Sequence, residues 1–344
     1  MKCTIIPYVL SLESELRKIH YYSYAEHIPE DDLLREITDM EPPFTIRFKI
    51  LKQDSQSTLW RTRSTALSYS DTISVFAEGE SLELVYRKRI APFGTITLQV
   101  REEKDRLTMC PNGLYYRLFK LRVENVIPPG VHLRDWTYVW LIERGFLSLH
   151  AATIAPDPKR ACILMAPPNV GKSLTTLKAL NEGWYFLSED ISVVDAKGTV
   201  YAVPYTSTFL HERSWLRHLP LLSYYVPTRS RSLGELFKER LLPKANVRYM
   251  FFLEASKGED EVIPLDKDRD IASILNRMTV INNSEFTWQG NALMNARFYL
   301  KGNLGNVMKQ DLRLKKALLK NAKDVLLVRA RSPTAFFDLI KELT

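Results

Sequence analysis

The chain reads as an α/β protein preceded by a β-rich module, on three observations. A short apolar run, Ala161 to Met165, feeds a loop ending Gly171-Lys172-Ser173 and then a helical stretch, the strand–loop–helix order of an α/β unit. Residues upstream of 130 instead alternate apolar and polar side chains with a period of two. Pro128-Pro129-Gly130 separates the two patterns. The expected division is a β-rich module over 1–130 and the α/β domain over 131–344.

The apolar start, Met1 to Leu12, holds one basic residue and a proline, with no small-x-small cleavage site after it, so it reads as a strand, with a signal peptide the lesser alternative. Residues 14–40 are polar and acidic with helix-like spacing. Phe44, Ile46, Phe48 and Ile50 alternate with polar residues, as a half-buried strand does. Ile73, Val75 and Ala77, then Glu78-Gly79-Glu80, then Leu82, Leu84 and Tyr86 predict a hairpin. Thr95 to Arg101 alternates again, and Pro111-Asn112-Gly113 is a turn before the stretch Leu114 to Val123. No His, Cys or carboxylate cluster marks this module. Trp136 to Gly145 predicts a helix stopped by Gly145.

Of the 344 residues, 45% are hydrophobic and 26% charged, which excludes disorder and a disulfide miniprotein for the whole. The net charge of +8 favours anionic partners without choosing among them. It is concentrated. Residues 229–248 hold six Lys/Arg against two Asp/Glu, and 309–331 hold eight against two. The second block carries Leu312, Leu314, Leu318 and Leu319, so it reads as an amphipathic helix with a solvated basic face. Without interleaved aromatics or an RNA- or zinc-finger signature, it argues against nucleic acid as partner. Cys3, Cys110 and Cys162 are far apart and odd in number, which suits a reduced, cytoplasmic protein. No run reaches the roughly 18 apolar residues of a membrane span, so no membrane partner is expected.

Ala166-Pro167-Pro168-Asn169-Val170-Gly171-Lys172-Ser173 is the informative loop, followed by a helix over Leu174 to Glu182 closed by Gly183. Backbone N–H groups in such a loop converge into an anion nest, and the helix N-terminus adds partial positive charge. Lys172 adds a full charge for β- and γ-phosphates, and the Ser173 hydroxyl is a neutral ligand for Mg2+. Asn169, Val170, Gly171, Lys172, Ser173 and Leu174 are therefore the expected nucleotide contacts. The usual pattern opens on glycine, and here Ala166 stands there. A positive φ would strain alanine, whereas Asn169 tolerates the left-handed region.

Downstream, Glu189-Asp190 interrupts the apolar run Trp184 to Val194. Carboxylates are poor strand residues and expensive to bury unpaired, so a nearby Mg2+ or Lys172 would compensate them. The alternative is a strand ending at Ser188 and a solvated turn. His150 sits in the apolar run Phe146 to Ala155, which Pro156-Asp157-Pro158 folds back as a hairpin partner of the loop's own strand. By itself, a lone histidine in an apolar strand is more often a satisfied core residue than a catalytic one.

Together, Leu149-His150-Ala151-Ala152, the Gly-Lys-Ser loop, a helix ending at Gly183 and an acidic pair 17 and 18 residues after Lys172 resemble the catalytic domain of HPr kinase/phosphorylase and related peptide-serine kinases. The resemblance spans about residues 140 to 340. It includes the apolar strand Tyr249 to Glu254 and a closing strand Val325 to Arg329. It implies a P-loop kinase domain with a mixed sheet, in which Asn169 to Ser173 hold ATP or another nucleoside triphosphate and Ser173 and Asp190 serve Mg2+. Glu189 stands where the family has the aspartate that accepts the substrate hydroxyl proton, and His150 stands near the transferred phosphate. Lys172 completes the catalytic set. Two departures are visible besides Ala166. Glu189 is one methylene longer than aspartate, and the Arg-Gly-Leu-Gly-Ile stretch of the HPr-directed enzymes is missing, with only Arg231 to Phe237 as a partial counterpart.

The implied activity is phosphoryl transfer to a serine or threonine hydroxyl of a peptide or small protein. A nucleotide-binding regulatory protein that has lost catalysis and a small-molecule hydroxyl kinase are the competing readings. A homo-oligomer is left open.

Overall fold

The computed structural model describes residues 2–5, 10–13, 44–48, 67–70, 72–78, 81–90, 94–104, 106–115, 129–203, 210–211, 230–231, 233–284 and 291–344. The expected helix within 14–40 lies outside them. The first sheet has eight strands, β1 (Lys2–Ile5), β2 (Leu10–Glu13), β3 (Phe44–Phe48), β4 (Leu67–Ser70), β5 (Ile73–Glu78), β6 (Ser81–Ile90), β7 (Gly94–Glu102) and β8 (Arg106–Pro111). Their order is β2-β1-β3-β8-β7-β6-β5-β4. The β5–β6 hairpin pairs Glu78 with Ser81 as its closing rung. Gly113 to Tyr115 then take a helical turn, which Asn112 caps by accepting from the Tyr115 amide at 2.9 Å. The continuation to Val123 lies outside the described residues.

Pro129 is the first residue of α1 (Pro129–Ile142), not part of a linker, and proline suits a first helical turn because its missing N–H has no partner to lose. Gly145, at φ 83°, turns the chain into β9 (Phe146–Asp157). The next elements are β10 (Arg160–Met165), α2 (Lys172–Asn181), β11 (Tyr185–Ser188), β12 (Ile191–Asp195), β13 (Thr199–Tyr201), β14 (Leu210–His211), β15 (Ser230–Arg231) and α3 (Leu233–Leu236). The last are β16 (Lys244–Ala255), β17 (Glu261–Pro264), α4 (Ile271–Asn283), α5 (Ala292–Lys301), α6 (Leu304–Asn321), β18 (Asp324–Ala330) and α7 (Pro333–Leu343).

The second sheet is mixed. Strand β16 runs parallel to β10 and β18, and the other ladders are antiparallel. Because β10 pairs with both β9 and β16, the ladder β9–β12–β13–β16–β10 closes on itself. One face of this sheet and the first sheet share a hydrophobic cluster that includes Leu98, Val100, Trp136, Trp140, Leu149, Ile163, Met250 and Met278. The opposite face packs Trp184, Phe251, Phe336, Phe337 and Ile340, which seats α7.

A buried ionic cage ties β7 of the first sheet to α1 and α5. Arg297 of α5, fully buried, donates to Glu102 of β7 at 3.1 Å through Nη2 and to Glu143 at 2.7 Å. Lys301 also reaches Glu102, and so does the Trp136 indole N–H, at 2.5 Å. Helix α6 buries Leu314, Leu318 and Leu319 and exposes Lys309, Arg313, Lys316 and Lys320, the expected solvated basic face. Among the described residues no helix is long and apolar enough to cross a membrane.

Candidate functional site

Strand β10 delivers the chain to the loop. Its last residue, Met165, lies opposite Ala151 on β9 and Phe252 on β16. Ala166 is fully buried, and Asn169, at φ 67°, is the one non-glycine residue with positive φ among those described. The strain expected at alanine is therefore absent, and asparagine takes the left-handed position instead. Gly171 adopts φ 118° and ψ 11° as the N-cap of α2 and, as a glycine, brings no side chain to cap the helix's first amides. Those amides are the donors an anion would satisfy. A β-carbon on Gly171 would meet Pro333 Cγ at 2.6 Å. Thr175 Oγ1 donates to Gly171 O at 3.1 Å and to Pro333 O at 3.2 Å, so the first turn of α7 braces the loop.

Lys172 is 8% exposed, and its Nζ makes no hydrogen bond. Nζ lies 3.8 Å from Asp190 Oδ1. Burial pulls the ammonium down to about 8 from 10.5, against the opposing pull of Asp190 and Glu189. Ser173 and Val170 are half-buried, whereas the Leu174 side chain is 52% exposed and leaves only its backbone for a ligand.

The acidic pair occupies a break in the sheet. Strand β11 pairs with Thr153 to Ala155 of β9, and β12 pairs with Phe146 to His150 of the same strand. Glu189 and Asp190 fill the gap between these two partners, and the Ala151 amide donates to Asp190 O at 3.1 Å. Three hydroxyls hold the break. Ser192 Oγ donates to Ala151 O at 3.0 Å and lies 2.7 Å from Thr153 Oγ1 and 2.6 Å from Ser188 Oγ. The strand does end at Ser188, but the pair is not a solvated turn, since Glu189 is 3% exposed.

His150 Nε2 lies 3.3 Å from Asp190 Oδ1, so one carboxylate oxygen faces both the imidazole and the lysine. Behind the ring, Nδ1 is 3.0 Å from Ser284 Oγ. The sequence offered no sign of Ser192, Asn282 or Ser284, which act on the site through backbone and ring contacts and belong to no spacing pattern. The structure thus brings His150, Lys172 and Asp190 into contact, with Glu189 close enough to act on the lysine's charge. Among the described residues no three His, Cys, Asp or Glu side chains form a self-sufficient metal cage. The basic segment 229–248 is described only in part.

No family model matches the chain, and no curated protein does. Among solved structures, the Hpr(Ser) kinase/phosphatase from Coxiella burnetii is 12% identical, the match covering 47% of this chain and 97% of that one with a TM-score of 0.21.

Proposed function

We propose that the chain is a Mg2+-dependent phosphotransferase that moves the γ-phosphoryl group of ATP or another nucleoside triphosphate to a serine or threonine hydroxyl of a peptide or small protein. The observation that carries this reading is Lys172, a buried ammonium without a hydrogen bond, at the mouth of a left-handed loop and facing an acidic pair. A buried charge left this way is destabilising unless a ligand completes it, and the open amides of α2 specify an anion.

Each residue has a part in the transfer. Amides of Asn169 to Ser173 and the Lys172 ammonium hold the phosphate tail and compensate charge on the transferred oxygens. Glu189 takes the proton of the attacking hydroxyl, whose oxygen bonds to the γ-phosphorus as the bond to the bridging oxygen breaks and the nucleoside diphosphate leaves. His150 stands beside the transferred group. Ser173 and Asp190 would hold Mg2+, which takes few protein ligands when phosphates supply the rest. When bound, Mg2+ would neutralise β- and γ-oxygen charge. We place this site in 131–344 and give 1–130 no part in the chemistry.

The exposure of the two carboxylates supports a second assignment. Asp190's side chain is 26% exposed, whereas Glu189 is nearly enclosed, so Asp190 is the easier of the two for a hydroxyl to reach. Glu189→Gln and Asp190→Asn separate these roles, since loss of the base lowers turnover about 100-fold or more while leaving nucleotide affinity.

The decisive experiment incubates the full chain with Mg2+–ATP and candidate peptide acceptors and reads a mass gain of about 80 Da, the phosphoryl unit. Loss of both nucleotide binding and transfer in Lys172→Ala is expected. Full binding in that variant would remove the basis of the reading, and binding without transfer to any acceptor would favour the regulatory alternative.

A further inference from the structure

Helix α6 gives one face to the core and leaves two rows of side chains outside. Val307, Leu314, Leu318 and Leu319 are buried. Leu304, Met308 and Leu312, spaced by four, share a second face and are 42% to 50% exposed although apolar. Lys309, Arg313, Lys316 and Lys320 form a third, exposed row. At 3.6 residues per turn the apolar stripe spans about 80°, and the basic row begins about 40° beyond it.

Nothing in the described part of the chain answers the basic row. The helix's one acid, Asp311, accepts from the Tyr138 hydroxyl at 2.8 Å and pairs with Lys315 at 2.7 Å. Among the described residues, none of the four outer cations meets a carboxylate. Lys320 sits in the last turn, where the helix dipole favours a cation, and the other three have no such use. Lys309 with Arg313, and Lys316 with Lys320, set like charges four apart, which destabilises a helix. An anionic partner would relieve both pairs. The stripe also lies against the helix that seats His150. Lys315 Nζ donates to Thr279 Oγ1 at 3.2 Å, holding α6 to α4. Val280 follows, exposed, and two residues on Asn282 Oδ1 accepts from the His150 amide at 2.9 Å.

We propose that this face of α6 docks an acidic amphipathic helix of a partner chain, with apolar side chains four apart on Leu304, Met308 and Leu312 and carboxylates along the basic row. Helices recognised along a stripe are read through anchors at such spacing, and opposite charge beside it selects the partner and its register. A second copy of this chain would set four cations against four. A bilayer needs a whole apolar face, and α6 has given that face to the core. That the docked segment carries the phosphoryl acceptor rests on the phosphotransferase reading above; the docking does not.

The test titrates the full chain, without nucleotide, against two fluorescein-labelled synthetic helical peptides and reads anisotropy at low and high salt. Both carry leucine at every fourth position, flanked by glutamate in one and by glutamine in the other. The glutamate peptide is expected to bind, more weakly as salt rises, and the glutamine peptide about tenfold or more weakly still. Met308→Glu, and Lys309→Glu combined with Arg313→Glu, should each weaken glutamate-peptide binding about tenfold or more, and the charge-reversed pair should bind a lysine peptide instead. Equal binding of the two peptides, or binding of neither, overturns the proposal without any variant having to fold. So does unchanged binding in the folded variants. Sedimentation with phosphatidylserine vesicles and no preference between peptides would assign the face to a membrane. Dimers of the unmodified chain that Met308→Glu dissolves and the glutamate peptide leaves intact would assign it to a second copy. Either result also overturns the proposal. Peptide binding with no transfer to a serine placed in the glutamate peptide leaves the docking standing and counts against the phosphotransferase reading alone.

Discussion

Gly171 and Pro333 approach so closely that any β-carbon on the glycine would sit 2.6 Å from the proline ring. The loop that precedes α2 is thus shaped from behind by a residue more than 150 positions later. At φ 118° the glycine also occupies a backbone region that side chains avoid.

Gly171→Ala is expected to lose about 1–3 kcal/mol of stability and most nucleotide affinity. Adding Pro333→Ala removes the collision but not the backbone strain. The double variant should therefore recover part of the stability, with a coupling readable by denaturant unfolding of all four proteins.

Lys172→Met should make the free protein more stable while ending nucleotide binding. Folding lowers the lysine to about 8 from 10.5. The unfolded chain therefore binds the proton more tightly, and below pH 8 the folded state carries the full penalty, about 3 kcal/mol. An apolar side chain of similar length escapes it. A melting temperature raised by several degrees together with lost binding marks a residue kept for function at the expense of stability. A lowered melting temperature contradicts this account of Lys172.

The same shift predicts the pH dependence of nucleotide affinity. On the proposed reading the loop would bind phosphate with the lysine charged, and above about pH 8 the free protein has lost that proton. Affinity should fall with rising pH from about 8, up to roughly tenfold per unit. A solvent-exposed lysine would give no such fall below about 10. Calorimetric titrations between pH 7 and 9.5 separate the two.

Glu102 makes an opposite prediction at acid pH. Burial pushes its carboxyl up, but Arg297 and Lys301 outweigh this and hold it at about 2, below its ordinary 4.5. The stability this adds is complete above pH 4.5 and disappears as pH falls towards 2, about 3 kcal/mol in all. Arg297→Ala should lose about 3–5 kcal/mol at neutral pH, because it leaves a buried carboxylate without its main partner. Urea midpoints at pH 6 and pH 3 should differ less in that variant than in the unmodified chain.

Local periodicity made much of the architecture legible. The hairpin at Ile73 to Tyr86 and the strand Ala161 to Met165 follow from apolar spacing, and Gly145 and Gly183, both at positive φ, mark the ends of α1 and α2. The encounter of His150 with Asp190 was legible only through motif spacing, because it depends on β9 serving two successive partners. The role of Asn169 was readable from its tolerance of left-handed backbone, whereas the ease of Ala166 was not, since no residue type reveals its own φ. Pro129 opens α1, since proline punctuates linkers and first helical turns alike. Asn282 and Ser284 carried no signal at all. Their contacts bridge more than 130 positions and use only common hydroxyl and amide groups.

Glu102 and Arg297 are 195 positions apart in the chain. A ribosome must therefore add those 195 residues before the acid on β7 meets its guanidinium. Until α5 emerges, a nascent chain holds Glu102 without the cation that makes its burial tolerable. A chain stopped before α5 therefore lacks the guanidinium that offsets the burial of Glu102.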